Sequence, residues 1–196
     1  MGGKLRNADK IILDLCGGTG AWSDPYAAAG YDRRVITLPE YDIRTYQPPT
    51  RVWGILAAPP CNCFSRVGAR WWLEMDADGR TAEAIEIFRR CLELCQIAFE
   101  WWALENPLGR HHVLMPEIPR PSWQFQPYFY GDPYVKQTYI WGTAAMPWPT
   151  NIVQPEATKR APSGHTQGHI AYLPSSSSKR AITPAGFARA FYETNK

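Results

Sequence analysis

The run Lys10-Ile11-Ile12-Leu13-Asp14-Leu15-Cys16, followed at once by Gly17-Gly18-Thr19-Gly20, constrains the fold more than any other stretch of the chain. Its first part is apolar and of strand length, and reads as a buried strand. The glycines make a tight turn. Ala21 to Ala29 then reads as a helix, with Pro25 near its start and Gly30 closing it. Strand, glycine turn and helix together open an α/β, doubly wound and mostly parallel sheet of the Rossmann-like type, in which the turn lets backbone approach a nucleoside ligand closely. A glycine turn by itself serves a nucleotide, a phosphate or plain packing equally well.

Later segments continue the alternation. Arg34 to Leu38 reads as a second strand and Arg51 to Leu56 as a third. The third is stopped by Pro59 and Pro60, which cannot continue a ladder, and Cys61 follows directly. A thiol therefore sits on the loop after a buried strand, where open α/β sheets place their chemistry. Such a cysteine is either a small buried apolar residue or a nucleophile tuned by its surroundings.

Arg66, Arg70, Trp71 and Trp72 mix cations with aromatics. They are either surface charges beside core tryptophans or a loop that closes over a base and its backbone. Met75 to Arg80 is polar and reads as mobile, whereas Thr81 to Ala98 has the apolar spacing of an amphipathic helix. Phe99 to Leu104 gives the next strand, ending in Glu105-Asn106-Pro107. Leu108 to Pro127 reads as a loop, with His111 and His112 as surface or phosphate contacts, because adjacent histidines do not easily face one ion. Gly131 to Trp141 reads as a strand, and Ile182 to Tyr192 as a short helix capped by Thr183 with Pro184 first.

The 196 residues suit one domain: a core over 1–147, a loop-rich insertion over 148–180 with a flexible turn at Ser175–Ser178, and a terminal helix over 181–196 packing on the core. A net charge of +3 announces no basic tail, although a modestly positive face remains open. The five cysteines do not have the spacing of a zinc knuckle, and Cys91 and Cys95 fall on the apolar face of the helix, so no metal is expected. With no signal-peptide core and no membrane-spanning run, a soluble protein of a reducing cytoplasm fits best.

Pro59-Pro60-Cys61-Asn62-Cys63-Phe64-Ser65 closely resembles the catalytic loop of the DNA cytosine-5 methyltransferases. Asp14-Leu15-Cys16-Gly17-Gly18-Thr19-Gly20 resembles the family's first S-adenosylmethionine motif, with Cys16 in place of the common Phe. Glu105-Asn106-Pro107 resembles its Glu-Asn-Val motif, and Ile182-Thr183-Pro184 its Leu-Thr-Pro helix. The resemblance runs from Ile11 to Glu193, in the compact form of bacteriophage or prophage members, and thins at three places. Thr37 and Leu38 stand where a ribose-binding acid is usual, with Glu40 slightly beyond. Tyr134, Lys136 and Thr138 overlie Gln-x-Arg-x-Arg, and the family's last motif is not recognisable.

The resemblance implies a DNA cytosine-5 methyltransferase, monomeric or dimeric, that swings cytosine out of duplex DNA and converts S-adenosylmethionine to S-adenosylhomocysteine. By the same implication Cys61 is the nucleophile and Glu105 the carboxyl that grips the ring. Asp14, Cys16, Gly18, Thr19, Gly20, Asp42, Ala58 and Pro60 would hold the cofactor. Asn62, Ser65, Arg66, Asn106, Lys136 and Thr138 would hold the substrate. The short insertion leaves open the same chemistry on single strands or free cytidine nucleotide, or a degenerate fold that only binds nucleic acid.

Overall fold

Short apolar strands alternate with helices through the first half of the chain, and the resulting sheet is mixed. The structure is a computed structural model and describes residues 5–107, 109–156, 159–160, 166–167 and 180–196. Strands β1 (Ile11–Leu15), β2 (Asp32–Ile36), β3 (Val52–Ala57), β4 (Ala98–Pro107), β5 (Trp123–Phe125) and β6 (Thr138–Gly142) form one six-stranded sheet in the order β2-β1-β3-β4-β6-β5. The first four are mutually parallel, and β6 runs antiparallel to both β4 and β5. A separate two-stranded ribbon pairs β7 (Lys159–Arg160) with β8 (Thr166–Gln167).

Because side chains alternate across a strand, the sheet feeds two cores. On one face Leu13, Leu15, Ile55, Ala57 and Leu104 pack against α3 (Arg80–Cys95), which buries Ala84, Phe88, Cys91, Leu94 and Cys95 at helical spacing. On the other face Ile12, Leu56, Trp101, Ala103 and Ile140 meet α1 (Asp24–Ala28) and α5 (Ala185–Thr194). That second core is aromatic. Phe187 of α5 stacks on Phe125 with centroids 3.7 Å apart and planes 7° apart, and Trp22 lies 5.3 Å edge-on from Phe191. Each such fully buried ring is worth about 2–3 kcal/mol of transfer free energy.

Several sequence expectations need correction. The first helix is only Asp24–Ala28, because turns around Gly20 and Ser23 take up the preceding residues. Met75 to Ala77, read as polar and mobile, form the end of α2 (Trp72–Ala77), with Arg80 pairing with Glu74 and Asp78. The segment 108–127 is not one loop: it contains α4 (His111–Leu114) and β5. The strand expected over 131–141 is confined to Thr138–Gly142, while β4 runs on through Glu105-Asn106-Pro107. The reason is pairing. Beyond the end of β3, the residues Glu105, Asn106 and Pro107 stay in the ladder by facing Ile140, Tyr139 and Thr138 of β6.

Pro184 precedes α5 rather than opening it, and no side chain caps the helix there. The loop-rich insertion, with Ser175–Ser178, lies largely outside the described residues. Among the described residues no helix is long and apolar enough to cross a membrane, and no three His, Cys, Asp or Glu residues group as metal ligands would.

Candidate functional site

The chain steps from β1 to β2 on one side and returns with β3 on the other, so the sheet order reverses between β1 and β3. In open α/β sheets, ligands bind in the crevice outside the strand ends at this point. The glycine turn leaves β1 there and the Ala58–Cys61 loop leaves β3 beside it, with Ala58 N–H donating to the Leu15 carbonyl at 2.9 Å.

The turn is built for close approach. Cys16 has φ 55°, and Gly18 and Gly20 have φ 56° and 76°, a left-handed region that glycine enters without steric cost. Gly18 and Thr19 are exposed, whereas Gly20 is buried. Asp14 lies beneath them, fully buried, with one oxygen accepting from Ser23 Oγ at 2.5 Å. Its other oxygen, Oδ1, finds no hydrogen-bond partner among the described residues. Burial pushes this carboxyl up to about 6, against the bond from Ser23 and the charge of Arg33. A Cβ on Gly17 would come within 2.4 Å of Asp14 Cγ, so the bare backbone rests directly on the carboxyl. A ligand lying over the turn would meet this backbone, with the buried carboxyl directly beneath it.

The other cofactor candidates are more scattered. Cys16 Sγ lies 3.8 Å from Cys91 Sγ of α3, facing the core rather than the turn. Asp42 sits in a local turn with a third of its side chain exposed, accepting from Arg44 N–H at 3.0 Å, and the Arg44 guanidinium grips both its oxygens, at 2.9 Å on Oδ1 and 2.5 Å on Oδ2, and bridges on to Glu83. Hydrogen bonds from Arg44 hold the Asp42 carboxyl down at about 2. Glu40 is exposed at the rim of a cavity beside β2 that Tyr41 and Tyr46 also line. Pro60 is exposed and Ala58 half-buried.

Cys61, Glu105 and Lys136 come together at the ends of β3 and β4 and just before β6. Lys136 Nζ lies 3.4 Å from Glu105 Oε1, with only 11% and 14% of the two side chains exposed. Burial, then the charge of Glu105, push the Cys61 thiol up, and Lys136 pulls it back. Tyr134 joins the group, its hydroxyl pushed up by burial and by Asp132 and Glu105. Thr138 is turned away: it is buried and donates to the Lys136 carbonyl at 3.0 Å.

The Cys61 loop is a tight turn, with Phe64 N–H and Ser65 N–H both donating to the Cys61 carbonyl, at 3.0 and 2.8 Å. Ser65 caps the short 3-10 helix Arg66–Trp71 by accepting from Val67 N–H, while Asn62 and Arg66 are exposed. The ambiguous cation–aromatic run divides here. Trp71, Val67 and Leu73 are exposed beside Arg66 and Arg70, whereas half-buried Trp72 carries the Arg110 guanidinium 4.4 Å from its ring.

Asn106 and His111 depart furthest from expectation. Asn106 is fully buried, donating through Nδ2 to the Pro59 carbonyl at 2.9 Å. Its Oδ1 accepts from His111 Nε2 at 2.8 Å. His111 is therefore no surface contact: it is 2% exposed, stacks on Phe64 at 4.6 Å, and burial lowers it to about 4. Arg110 donates to the Cys63 carbonyl at 2.9 Å and grips Asp76 with two bonds, at 2.8 and 2.6 Å. Reading the sequence missed both residues, since an Arg-His pair in a proline-rich stretch carries no periodic signal.

Neither a protein-family model nor a curated protein matches the chain.

Proposed function

We propose that this chain is an S-adenosylmethionine-dependent cytosine-5 methyltransferase acting on DNA, on a Rossmann-like methyltransferase fold. The observation that carries the reading is the grouping of one thiol, one carboxyl and one ammonium, Cys61, Glu105 and Lys136, at strand ends beside a glycine turn. Carbon 5 of cytosine is a poor nucleophile while the ring is aromatic. Adding a thiolate to carbon 6 breaks the aromaticity and makes carbon 5 enamine-like.

In this reading Cys61 forms the bond to carbon 6, its thiol proton going to solvent as the base arrives. Glu105 acts as the acid, giving a proton to the ring nitrogen on which negative charge accumulates and taking it back when the ring double bond re-forms. Lys136 partners Glu105 and favours negative charge on the neighbouring sulfur. The cofactor, when bound over Asp14 and the glycine turn, supplies an electrophilic methyl group. The carbon 5 proton passes to a water molecule, the electron pair re-forms the ring double bond, and the bond from carbon 6 to sulfur breaks to release Cys61 as thiolate. Exposed Arg66, Arg70 and Trp71 on the segment after the loop supply cations and a stacking surface for a strand with one base swung out.

One observation favours a second reading, a non-catalytic nucleic-acid-binding fold. Asp42, one of the implied cofactor contacts, is engaged by Arg44. Tritiated S-adenosylmethionine incubated with duplex DNA, single-stranded DNA and cytidine nucleotide separates the alternatives. Label in 5-methylcytosine that disappears in Cys61→Ala and Glu105→Gln is the expected result. Full activity in Cys61→Ala refutes the mechanism. Nucleic-acid binding without any methyl transfer supports the second reading.

A further inference from the structure

The Cys61 loop hangs from the end of β3 by two prolines, and its own turn does not fix it against Glu105. The chain from Asn106 to His111 does so. Ser65 forms an antiparallel bridge with Gly109. Arg110 N–H donates to the Phe64 carbonyl at 3.0 Å, and Arg110 Nε to the Cys63 carbonyl at 2.9 Å. The His111 ring stacks on Phe64 and, through Asn106, ties back to the Pro59 carbonyl. Loop residues on both sides of Cys61 are thus held by Asn106 of the strand that carries Glu105 and by the residues directly after that strand.

The chemistry of each contact is directional. Asn106 Oδ1 only accepts, so His111 Nε2 carries the proton, and the ring is neutral over the working pH range because burial lowers it to about 4. That bond fixes which way the Asn106 amide points, and hence that Nδ2 faces Pro59. Arg110 is itself oriented by Asp76 of α2, by Thr81 of α3 at 3.2 Å and by the Trp72 ring, which leaves Nε for the loop. Neither side chain is placed to reach a substrate: His111 is buried, and the Arg110 guanidinium is taken up by Asp76.

We propose that Arg110 and His111 are positioning residues that clamp the Cys61 loop against the strand bearing Glu105, setting where the thiol stands relative to the carboxyl. The proposal rests on the reading of Cys61 as the nucleophile. It concerns how the loop is held, so it can fail or stand independently of methyl transfer.

The test uses the full chain. Iodoacetamide alkylation of Cys61, followed peptide by peptide by mass spectrometry from pH 6 to 10, reports the surroundings of the thiol without any cofactor. The charged and titratable groups acting on it are Glu105 of β4, Lys136 before β6 and Cys63 of its own loop. His111→Phe keeps an aromatic ring against Phe64 and removes the donor. His111→Gln restores an N–H. Arg110→Met removes the bonds to the Cys63 carbonyl and to Asp76.

In His111→Phe and Arg110→Met the loop swings outward, so the Cys61 profile is expected to move to lower pH and its rate at pH 7.5 to rise at least threefold. Methyl transfer is expected to lose at least tenfold in kcat with KM for DNA within about twofold, and His111→Gln to recover most of both. Cys61 profiles that superimpose on wild type in His111→Phe and Arg110→Met, whatever happens to Tm, overturn the proposal. Equal damage in His111→Gln and His111→Phe overturns the role of the donor. If His111→Phe does not fold, Arg110→Met decides alone. If the wild-type chain methylates nothing, the proposed function fails while the alkylation profiles still decide the clamp.

Discussion

Asp14 offers a direct measurement of what the glycine turn costs the fold. The carboxyl is completely buried, accepts one hydrogen bond and leaves Oδ1 without a partner among the described residues. Burial raises it from the ordinary 3.8 to about 6. At about 1.4 kcal/mol per pH unit, that displacement corresponds to about 3 kcal/mol of stability missing at neutral pH. The sign follows from proton binding. Between the two values the folded protein holds a proton that the unfolded chain has released, so stability attributable to Asp14 falls as pH rises through this window and is level above it.

About 2 kcal/mol of the 3 falls between pH 4 and pH 7. Asp14→Asn removes this dependence, and an amide nitrogen left unpaired at the Oδ1 position lowers stability by about 1–3 kcal/mol at every pH. The diagnostic is therefore the slope rather than the level. His111, whose neutral form is favoured by burial, contributes a dependence of opposite sign in wild type and variant alike, and cancels in the comparison. Urea unfolding followed by tryptophan fluorescence at pH 4, 5, 6 and 7 should show wild type losing about 2 kcal/mol relative to Asp14→Asn. A difference that stays flat over this range refutes the burial argument.

Two further perturbations test other parts of the structure. Phe187→Ala empties the centre of the aromatic core between α5 and the sheet, where Phe187 is fully buried and stacked on Phe125. It should cost about 3–5 kcal/mol in the same urea titration, and a loss under 1 kcal/mol contradicts the packing. Gly109→Ala would put a Cβ 2.0 Å from the Phe64 carbonyl oxygen, which forces the Cys61 loop and the Gly109 segment apart. Methyl transfer should fall at least tenfold with little change in cofactor affinity by calorimetry, and unchanged kcat shows that the loop does not depend on this close approach.

Local pattern made the parallel part of the fold legible. The apolar runs at Ile11–Leu15 and Val52–Ala57 and the helical spacing within Arg80–Cys95 each need only a window of neighbours to be read. The position of the thiol was legible, because Cys61 comes shortly after the end of β3, whereas Glu105, read as following a strand, lies inside β4 beside Lys136. What escaped was set by contacts distant in sequence. β4 continues through Glu105-Asn106-Pro107 only because β6 pairs with it, and His111 is buried only because Phe64, Phe88 and Trp141 surround it. Arg44 and Asp42 are close in sequence, yet nothing in the pattern showed that the carboxylate would be tied up locally.

The insertion of β6 between β4 and β5 has a consequence for the chain as it is made. Synthesis delivers Cys61 and then Glu105 well before the strand that pairs beside Glu105, and before α5, which closes the aromatic core. Until β6 arrives, the distal half of β4 is an open strand edge of the kind that recruits other chains. Pairing between strands so separated is slow relative to local helix formation. The thiol therefore exists for a time without the ammonium that balances its neighbouring carboxylate, and the later arrival of β6 both covers the edge and brings Lys136 to Glu105.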